Sequence, residues 1–299
     1  MAITAASAVA LARLRTAGGP VALHSHYPSG VNLDVGGILV YAGPGAAGGA
    51  CSLEVTTADV AVLAGSPAWL WHRGGLICAD GSVSVAMAEA ARVYVPPTPR
   101  LAALDPAAGR RLRLARTATG SPSWFSEGVG RDVALPRLRT AVACLVTPAP
   151  HDAGALVRGV VGLGGGLTPA CDDALVAALC LLHACGHRPA VTAADLLGGA
   201  PATTDVSASA LRLALAGAFS SRLARVVNLL GPSEADDSRL RLAVRDLASI
   251  GATSGADSLM GLELACDALA VRDRLRPSIP SGLLGAGQPS ARSMMSIGS

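Results

Sequence analysis

The spacing of apolar and polar residues changes once along the chain and divides it into two parts. Residues 21–95 contain short β-prone stretches that are separated by turns rich in Gly and Pro. Short strands at such close spacing are typical of a small barrel or sandwich. The predicted strands are residues 21–24, 37–41, 53–55, 76–78 and 82–85, with a helical turn predicted over 86–93 and an amphipathic helix over 1–15.

From residue 138 onwards the pattern consists of long Ala- and Leu-rich segments with helical spacing. Leu211, Leu215 and Phe219, for example, recur every four residues and form one apolar stripe. The predicted helices are residues 137–146, 169–185, 206–230, 234–250 and 255–275, and the segment 101–116 is also compatible with a helix. The two patterns together predict an α+β fold, in which a small N-terminal barrel-like or sandwich-like β region packs on a C-terminal helical domain.

The change of pattern also predicts the domain organisation. Prolines close the first part, and a Ser-, Gly- and Pro-rich composition begins near residue 277. We therefore expect a β-rich domain over 1–100, a junction over 101–136, a helical domain over 137–276 and a disordered tail over 277–299.

Composition excludes several classes of function. The net charge is only +3 and aromatic residues make up 3%, whereas a nucleic-acid surface needs clustered basic residues with aromatics between them. The densest basic run, Arg110 to Arg116, is interpreted as a solvated face. The longest apolar run, 174–182, covers about half of the ~20 residues that span a bilayer. We therefore expect no membrane segment. Seven irregularly spaced cysteines do not form a disulfide pattern, so we expect reduced cysteines in a cytoplasmic protein.

The segment 162–173 has the strongest functional signal, with the sequence Gly-Leu-Gly-Gly-Gly-Leu-Thr-Pro-Ala-Cys-Asp-Asp. Thr168 is a suitable N-cap, and Pro169 suits the first position of a helix. Glycines at such a helix start leave backbone N–H groups that can bind phosphate or carboxylate. The pattern predicts a helix over 169–185, and it is also compatible with a capped helix start that binds nothing.

Asp172 and Asp173 complicate this anion site, because two carboxylates repel an anion. Two hypotheses resolve the conflict. In one, Asp172 and Asp173 are metal ligands and a magnesium ion bridges them to a phosphate; in the other, one of them acts as a base or orients a polar substrate. The segment is not a P-loop, because no Lys follows the glycines, and it lacks the third glycine of the dinucleotide motif.

Two later segments have the same polar character. Thr204 and Ser207 precede the helix predicted over 206–230, and Ser254 and Asp257 begin the helix predicted over 255–275. Each pair is explained by helix capping alone, or by a shared site with the glycine-rich turn. Cys180, His183, Cys185 and His187 lack the two spaced ligand pairs of a closed zinc site, so we interpret them as core and capping residues.

The glycine-rich segment resembles the signature of the AllH-like family of oxamate carbamoyltransferase subunits. The segments 203–207 and 250–257, followed by Gly261, are similar to the second and third blocks of that family, and residues 24–32 resemble its N-terminal region. The resemblance covers about residues 20–270. The sequence departs from the family at Ala170 and Cys171, where Ser and Gly are usual, and at Ala252, where His is usual.

The resemblance implies a subunit or homologue of a carbamoyltransferase that uses carbamoyl phosphate and a small acid such as oxamate. It also implies a hetero-complex with an FdrA-type partner subunit, and Mg²⁺ remains open as a cofactor. Two other functions remain alternatives, namely a non-catalytic scaffold subunit and a binding module for an anionic metabolite. The candidate catalytic residues are Asp172, Asp173, Ser254 and Asp257; the candidate anion-binding residues are Gly162, Gly164, Gly165, Gly166, Leu167, Thr168, Thr204, Ser207 and Gly255.

Overall fold

The fold was analysed in a computed structural model, which describes residues 1–18, 20–146, 153–189, 191–198, 202–232 and 237–275. The predicted tail over 277–299 lies outside these residues. The strands are β1 (Ala2–Ser7), β2 (Pro20–Tyr27), β3 (Gly30–Val35), β4 (Ile38–Gly43), β5 (Ser52–Glu54), β6 (Ala68–His72), β7 (Gly75–Cys78) and β8 (Ser84–Tyr94). The helices are α1 (Ala8–Ala17), α2 (Thr57–Ala64), α3 (Ala108–Thr117), α4 (Leu135–Val146), α5 (Ala153–Arg158), α6 (Ala170–Ala184), α7 (Ala193–Leu197), α8 (Asp205–Leu215), α9 (Ser221–Asn228), α10 (Asp237–Ala248) and α11 (Ser254–Leu275).

The N-terminal part is a closed barrel, which confirms the predicted α+β fold class. Its strands follow the order β1-β5-β4-β3-β2-β6-β7-β8, and β1 closes the barrel by pairing in parallel with β8. The hairpin between β3 and β4 turns at Gly36 and Gly37, which both have positive φ. Two residues with positive φ are what a tight hairpin needs to match the twist of its strands.

Two hydrophobic cores underlie the two parts of the chain. One fills the barrel, with Leu33, Val40, Leu53 and Trp69 among its buried side chains. The other lies between the helices of the C-terminal part. Helix α8 joins them, because its Leu213 belongs to the barrel core and its Ser209 hydroxyl accepts a hydrogen bond from the Leu39 amide at 2.8 Å.

The structure corrects four of the predicted elements. Residues 86–93 are part of strand β8 rather than a helical turn, and the helix predicted over 1–15 is strand β1 followed by α1, which begins at Ala8. The helix predicted over 206–230 is two helices, α8 and α9, because the chain turns at Gly217 with a φ of +80°. Within 101–116 only the last residues are helical, in α3. None of the helices in the described ranges combines the length and apolar character that crossing a membrane requires.

The central contact of the helical part is the crossing of α6 and α11. Most residues of α6 are buried, which explains its continuous apolar sequence. Gly261 of α11 lies so close to α6 that a Cβ atom there would overlap the carbonyl oxygen of Ala174. The absence of a side chain at Gly261 is therefore a condition for this crossing.

Replacing Gly261 by Ala is expected to lower the free energy of unfolding by about 3 kcal/mol, because the clash is with backbone rather than with a flexible side chain. Chemical denaturation measures this loss. Gly165→Ala is the matched control, since a Cβ at Gly165 meets nothing within 4 Å; it should change stability by less than about 0.5 kcal/mol. Equal stability of the two variants would show that α6 and α11 do not cross this closely.

Candidate functional site

The glycine-rich turn before α6 follows a path that its glycines permit. Gly162, Gly164 and Gly166 all have positive φ, at +79°, +127° and +89°. A Cβ atom at Gly162 would overlap the carbonyl oxygen of Ala202, and one at Gly164 would overlap the amide nitrogen of Ala170. The amides of residues 164–168 donate to no acceptor in the described part of the chain. The tip of the turn, at Gly165, Gly166 and Leu167, is exposed.

Helix α6 is a single unbroken helix, as predicted, but Thr168 does not cap it. The N-cap position is Pro169, which has no side-chain cap hydrogen bond, and its carbonyl accepts from the amides of Asp172 and Asp173. The Thr168 hydroxyl lies 2.8 Å from the Ser254 hydroxyl at the start of α11 instead. The predicted cap was wrong because a distant partner takes the hydroxyl.

Asp172 connects the turn to the segment before α8. Its Oδ1 accepts from the Gly162 amide at 2.8 Å, and its Oδ2 accepts from the Thr203 hydroxyl. Burial raises the pKa of this carboxyl, and the Thr203 hydroxyl, the Gly162 amide and the Ser207 hydroxyl lower it. With both oxygens engaged by donors, Asp172 anchors the turn.

The Thr204 hydroxyl forms a second link between the same two segments. It donates to the Leu167 carbonyl at 2.6 Å and accepts from the Ser207 amide at 3.2 Å, so that it caps α8. Thr204 therefore both caps α8 and contacts the glycine-rich turn. Next to it, Asp205 Oδ2 lies 3.1 Å from Nε2 of His24 in strand β2, which brings the barrel to the edge of the site.

Asp257 contributes a fully buried carboxyl from α11, at 0% exposure. Its Oδ1 accepts from the Ser123 hydroxyl at 2.7 Å and from the Trp124 amide at 2.9 Å. Burial raises its pKa, and the nearby Ser123 hydroxyl, the Thr253 hydroxyl and the Trp124 amide lower it. Its Oδ2 is buried and has no hydrogen-bond partner in the described part of the chain.

Asp173 lies between these groups and is the most perturbed carboxyl of the three. Burial raises its pKa to about 7, against the neighbouring Ser254 and Thr168 hydroxyls, which lower it, and the charges of Asp257 and Asp172 raise it further. Its Oδ2 is buried and, among the described residues, finds no donor. An unsatisfied buried acceptor costs about 1–3 kcal/mol, so two of them at one place need an explanation.

No arginine is among the groups that shift the pKa of Asp172, Asp173 or Asp257 within the described ranges. Their ionised forms are stabilised only by hydroxyl and amide donors. With no cationic group acting on them among the described residues, the three carboxyls lower their negative charge by binding protons. The raised pKa of each carboxyl is consistent with this.

The predicted pair of metal ligands, Asp172 and Asp173, stays a prediction. Both oxygens of Asp172 already accept from N–H and O–H donors, which compete with a cation for them. The described residues also contain no group of three His, Cys, Asp or Glu side chains that is arranged to hold a metal ion. We therefore assign no step to magnesium.

The structure brings most of the predicted site residues together. Six of them lie at the base of the turn: Asp172, Asp173, Ser254, Thr168, Thr204 and Ser207. Asp257 hydrogen bonds to Ser123 and Trp124 instead, and its charge acts on Asp173. Gly255 is different, because a Cβ there would overlap the Leu247 carbonyl, so it serves the packing of α11 on α10.

Sequence reasoning missed four groups at the site. Ser123 and Trp124 hold Asp257, Thr203 holds Asp172, and His24 contacts Asp205 at the edge of the site. The sequence pattern could have identified Thr203, since this residue belongs to the second polar segment. Ser123 and Trp124 lie in an irregular stretch and had no local signal that linked them to Asp257.

One known family matches the part of the chain that contains the glycine-rich turn. Residues 160–266 match the family model described as oxamate carbamoyltransferase subunit AllH. Over these residues, called the AllH segment below, the chain is similar to the AllH family. The AllH segment contains the glycine-rich turn, Thr203 to Ser207 and Asp257, and it leaves out the barrel. It confirms the resemblance found in the sequence over residues 160–266. No solved structure matches the chain.

The burial of Asp173 predicts an unusual dependence of stability on pH. The pKa of about 7 in the folded chain exceeds the ordinary 3.8, so the folded state holds a proton that the unfolded state releases. This contribution to stability is present below pH 4 and is lost as the pH rises to 7 and above, and it is on the order of 4 kcal/mol. In Asp173→Asn the side chain stays neutral, and this loss should disappear.

Chemical denaturation at pH 4.5 and pH 8 measures the difference between wild type and Asp173→Asn. The variant should be the more stable protein at pH 8, with a much smaller difference at pH 4.5. Asp273→Asn, at an exposed position near the end of α11, is the control and should follow the wild type at both pH values. A constant difference between Asp173→Asn and wild type would contradict the raised pKa.

Proposed function

We propose that the chain is a subunit of a carbamoyltransferase, which moves a carbamoyl group between phosphate and the nitrogen of a small acid such as oxamate. One observation carries the proposal. The AllH segment contains three separate polar stretches, and these converge on three buried carboxyls, Asp172, Asp173 and Asp257. Buried carboxyls without a cation are costly, which favours a role in binding or chemistry over a role in stability.

The chemistry needs a proton acceptor close to the reacting nitrogen. When an amide nitrogen attacks carbamoyl phosphate, a C–N bond forms, the C–O bond to phosphate breaks, and the nitrogen loses a proton. The pKa of Asp173, raised to about 7, suits this proton transfer near neutral pH. In the reverse direction the protonated carboxyl returns the proton. We assign Asp173 as the catalytic residue.

The anionic part of the substrate has a different position. Residues 164–168 supply backbone N–H groups that find no acceptor among the described residues, and the start of α6 adds roughly half a positive charge. A phosphate or carboxylate would bind on this exposed side of the turn, with the carboxyls on its buried side. This separation removes the conflict between an anion and the acidic residues.

The remaining residues of the site position these two parts. Asp172 holds the Gly162 amide and so fixes the turn. The Ser254 and Thr168 hydroxyls hydrogen bond to each other beside Asp173, and they orient its carboxyl. Asp257 raises the pKa of Asp173 through its charge.

A partner subunit is part of the proposal. In the described residues no arginine acts on the three carboxyls, and the chain has no lysine. Phosphoryl groups are usually held with the help of a cationic side chain. We propose that an FdrA-type partner supplies it in a hetero-complex, so that turnover requires the assembled subunits.

Asp173→Asn in the purified hetero-complex is expected to lower kcat by about 10²–10⁴-fold, because the proton acceptor is lost. A carbamoyl phosphate assay with oxamate measures this rate between pH 6 and 9. The wild-type rate should rise with pH through about 7, as Asp173 ionises. Asp273→Asn, which lies outside the site, is the control and should retain the wild-type rate.

The same assay separates the alternatives. Full activity of the Asp173→Asn complex would contradict the catalytic assignment and favour a scaffold subunit. Stabilisation by oxamate or carbamoyl phosphate without turnover in any complex would favour a metabolite-binding module.

A further inference from the structure

Two buried carboxyl oxygens at the site have no hydrogen-bond partner among the described residues: Asp173 Oδ2 and Asp257 Oδ2. Most buried polar atoms in native proteins are hydrogen bonded, so each exception needs a reason. Here two exceptions of the same chemical type occur on two helices that are in backbone contact, since Gly261, one turn after Asp257, meets Ala174, the neighbour of Asp173.

Each of these carboxyls is held in place by its surroundings. Asp257 Oδ1 accepts from the Ser123 hydroxyl and from the Trp124 amide, and Asp173 lies beside the Thr168 and Ser254 hydroxyls, which hydrogen bond to each other. The unpartnered oxygens are therefore acceptors of fixed direction, set by α6, by α11 and by the turn at Ser123 and Trp124. A fixed pair of acceptors is complementary to a ligand with two donors.

We propose that Asp173 Oδ2 and Asp257 Oδ2 form a subsite for the NH₂ group of a primary amide, with one N–H directed at each oxygen. The inference rests on the proposed function and deepens it, because it fixes the orientation of the substrate. The amide end of an oxamate-like acid lies at the buried carboxyls, and its carboxylate lies at the amides of the glycine-rich turn.

This orientation also provides specificity between two acids of nearly the same shape. Oxalate has a second carboxylate where oxamate has its amide. At the subsite that group would place acceptor oxygens against acceptor oxygens and add negative charge to two buried carboxyls. Sites built to bind a donor discriminate strongly against an analogue that lacks it.

Calorimetric titration with oxamate and oxalate tests the subsite, on the chain alone and on the hetero-complex at pH 6 and pH 8.5. We expect oxamate to bind at least about tenfold more tightly than oxalate at pH 8.5. Asp172 and Asp257 are the titratable groups whose charges act on Asp173. When Asp173 ionises, it gains an acceptor for the N–H of oxamate and a negative charge that repels oxalate. Oxamate binding should therefore strengthen and oxalate binding weaken as the pH rises.

Two variants make the test specific. In Asp173→Asn and in Asp257→Asn the preference for oxamate should fall to less than about threefold, while Asp273→Asn should keep it. If one variant does not fold, the other, together with the wild-type comparison, decides the result. Equal binding of oxamate and oxalate with the same pH dependence, or no binding of oxamate to the chain or the complex, would overturn the subsite. Stronger binding of guanidinium than of oxamate would also overturn it and indicate a cation site.

The two proposals can fail separately. Turnover of oxamate by the complex without a preference over oxalate would refute the subsite and leave the carbamoyltransferase proposal standing. A strong oxamate preference in a complex that transfers no carbamoyl group would refute the proposed function and leave the subsite standing.

Discussion

The close crossing of α6 and α11 is the constraint on which the site depends. Gly261 has no side chain, and its helix approaches the Ala174 carbonyl to backbone contact. Ala174 is the neighbour of Asp173, and Asp257 lies one helical turn before Gly261. The same contact that joins the two helices therefore brings their first turns together and buries two carboxyls between them.

Burial of acidic groups at this crossing has a consequence for charge. Asp172 is satisfied by the Gly162 amide and the Thr203 hydroxyl, and it holds the turn in place. Asp173 and Asp257 each keep one oxygen without a partner in the described residues, and no arginine is among the groups that shift their pKa. A polar cluster of this kind destabilises the isolated chain, and a ligand or a partner subunit that supplies donors would recover the lost free energy.

Local sequence signals predicted a large part of this arrangement. The Thr-Pro and Gly punctuation located α6 almost to the residue, and the turn-rich spacing of residues 21–95 indicated a barrel or sandwich. The errors at the site share one physical cause, which is contact over long sequence distances. Thr168 was expected to cap α6, but its hydroxyl contacts Ser254, 86 residues away. Asp257 accepts from Ser123 across 134 residues, and no local pattern shows such a pair.

The ionisation of Asp173 is the property that joins fold and chemistry, and ¹³C NMR of the carboxyl carbons measures it directly. A titration of the wild-type chain, with the Asp173 signal assigned by its absence from Asp173→Asn, should show this carboxyl changing at about pH 7. Exposed aspartates should change near pH 4. If Asp173 also titrates near pH 4, the carboxyl is neither desolvated nor coupled to Asp257, and the account of the site is wrong.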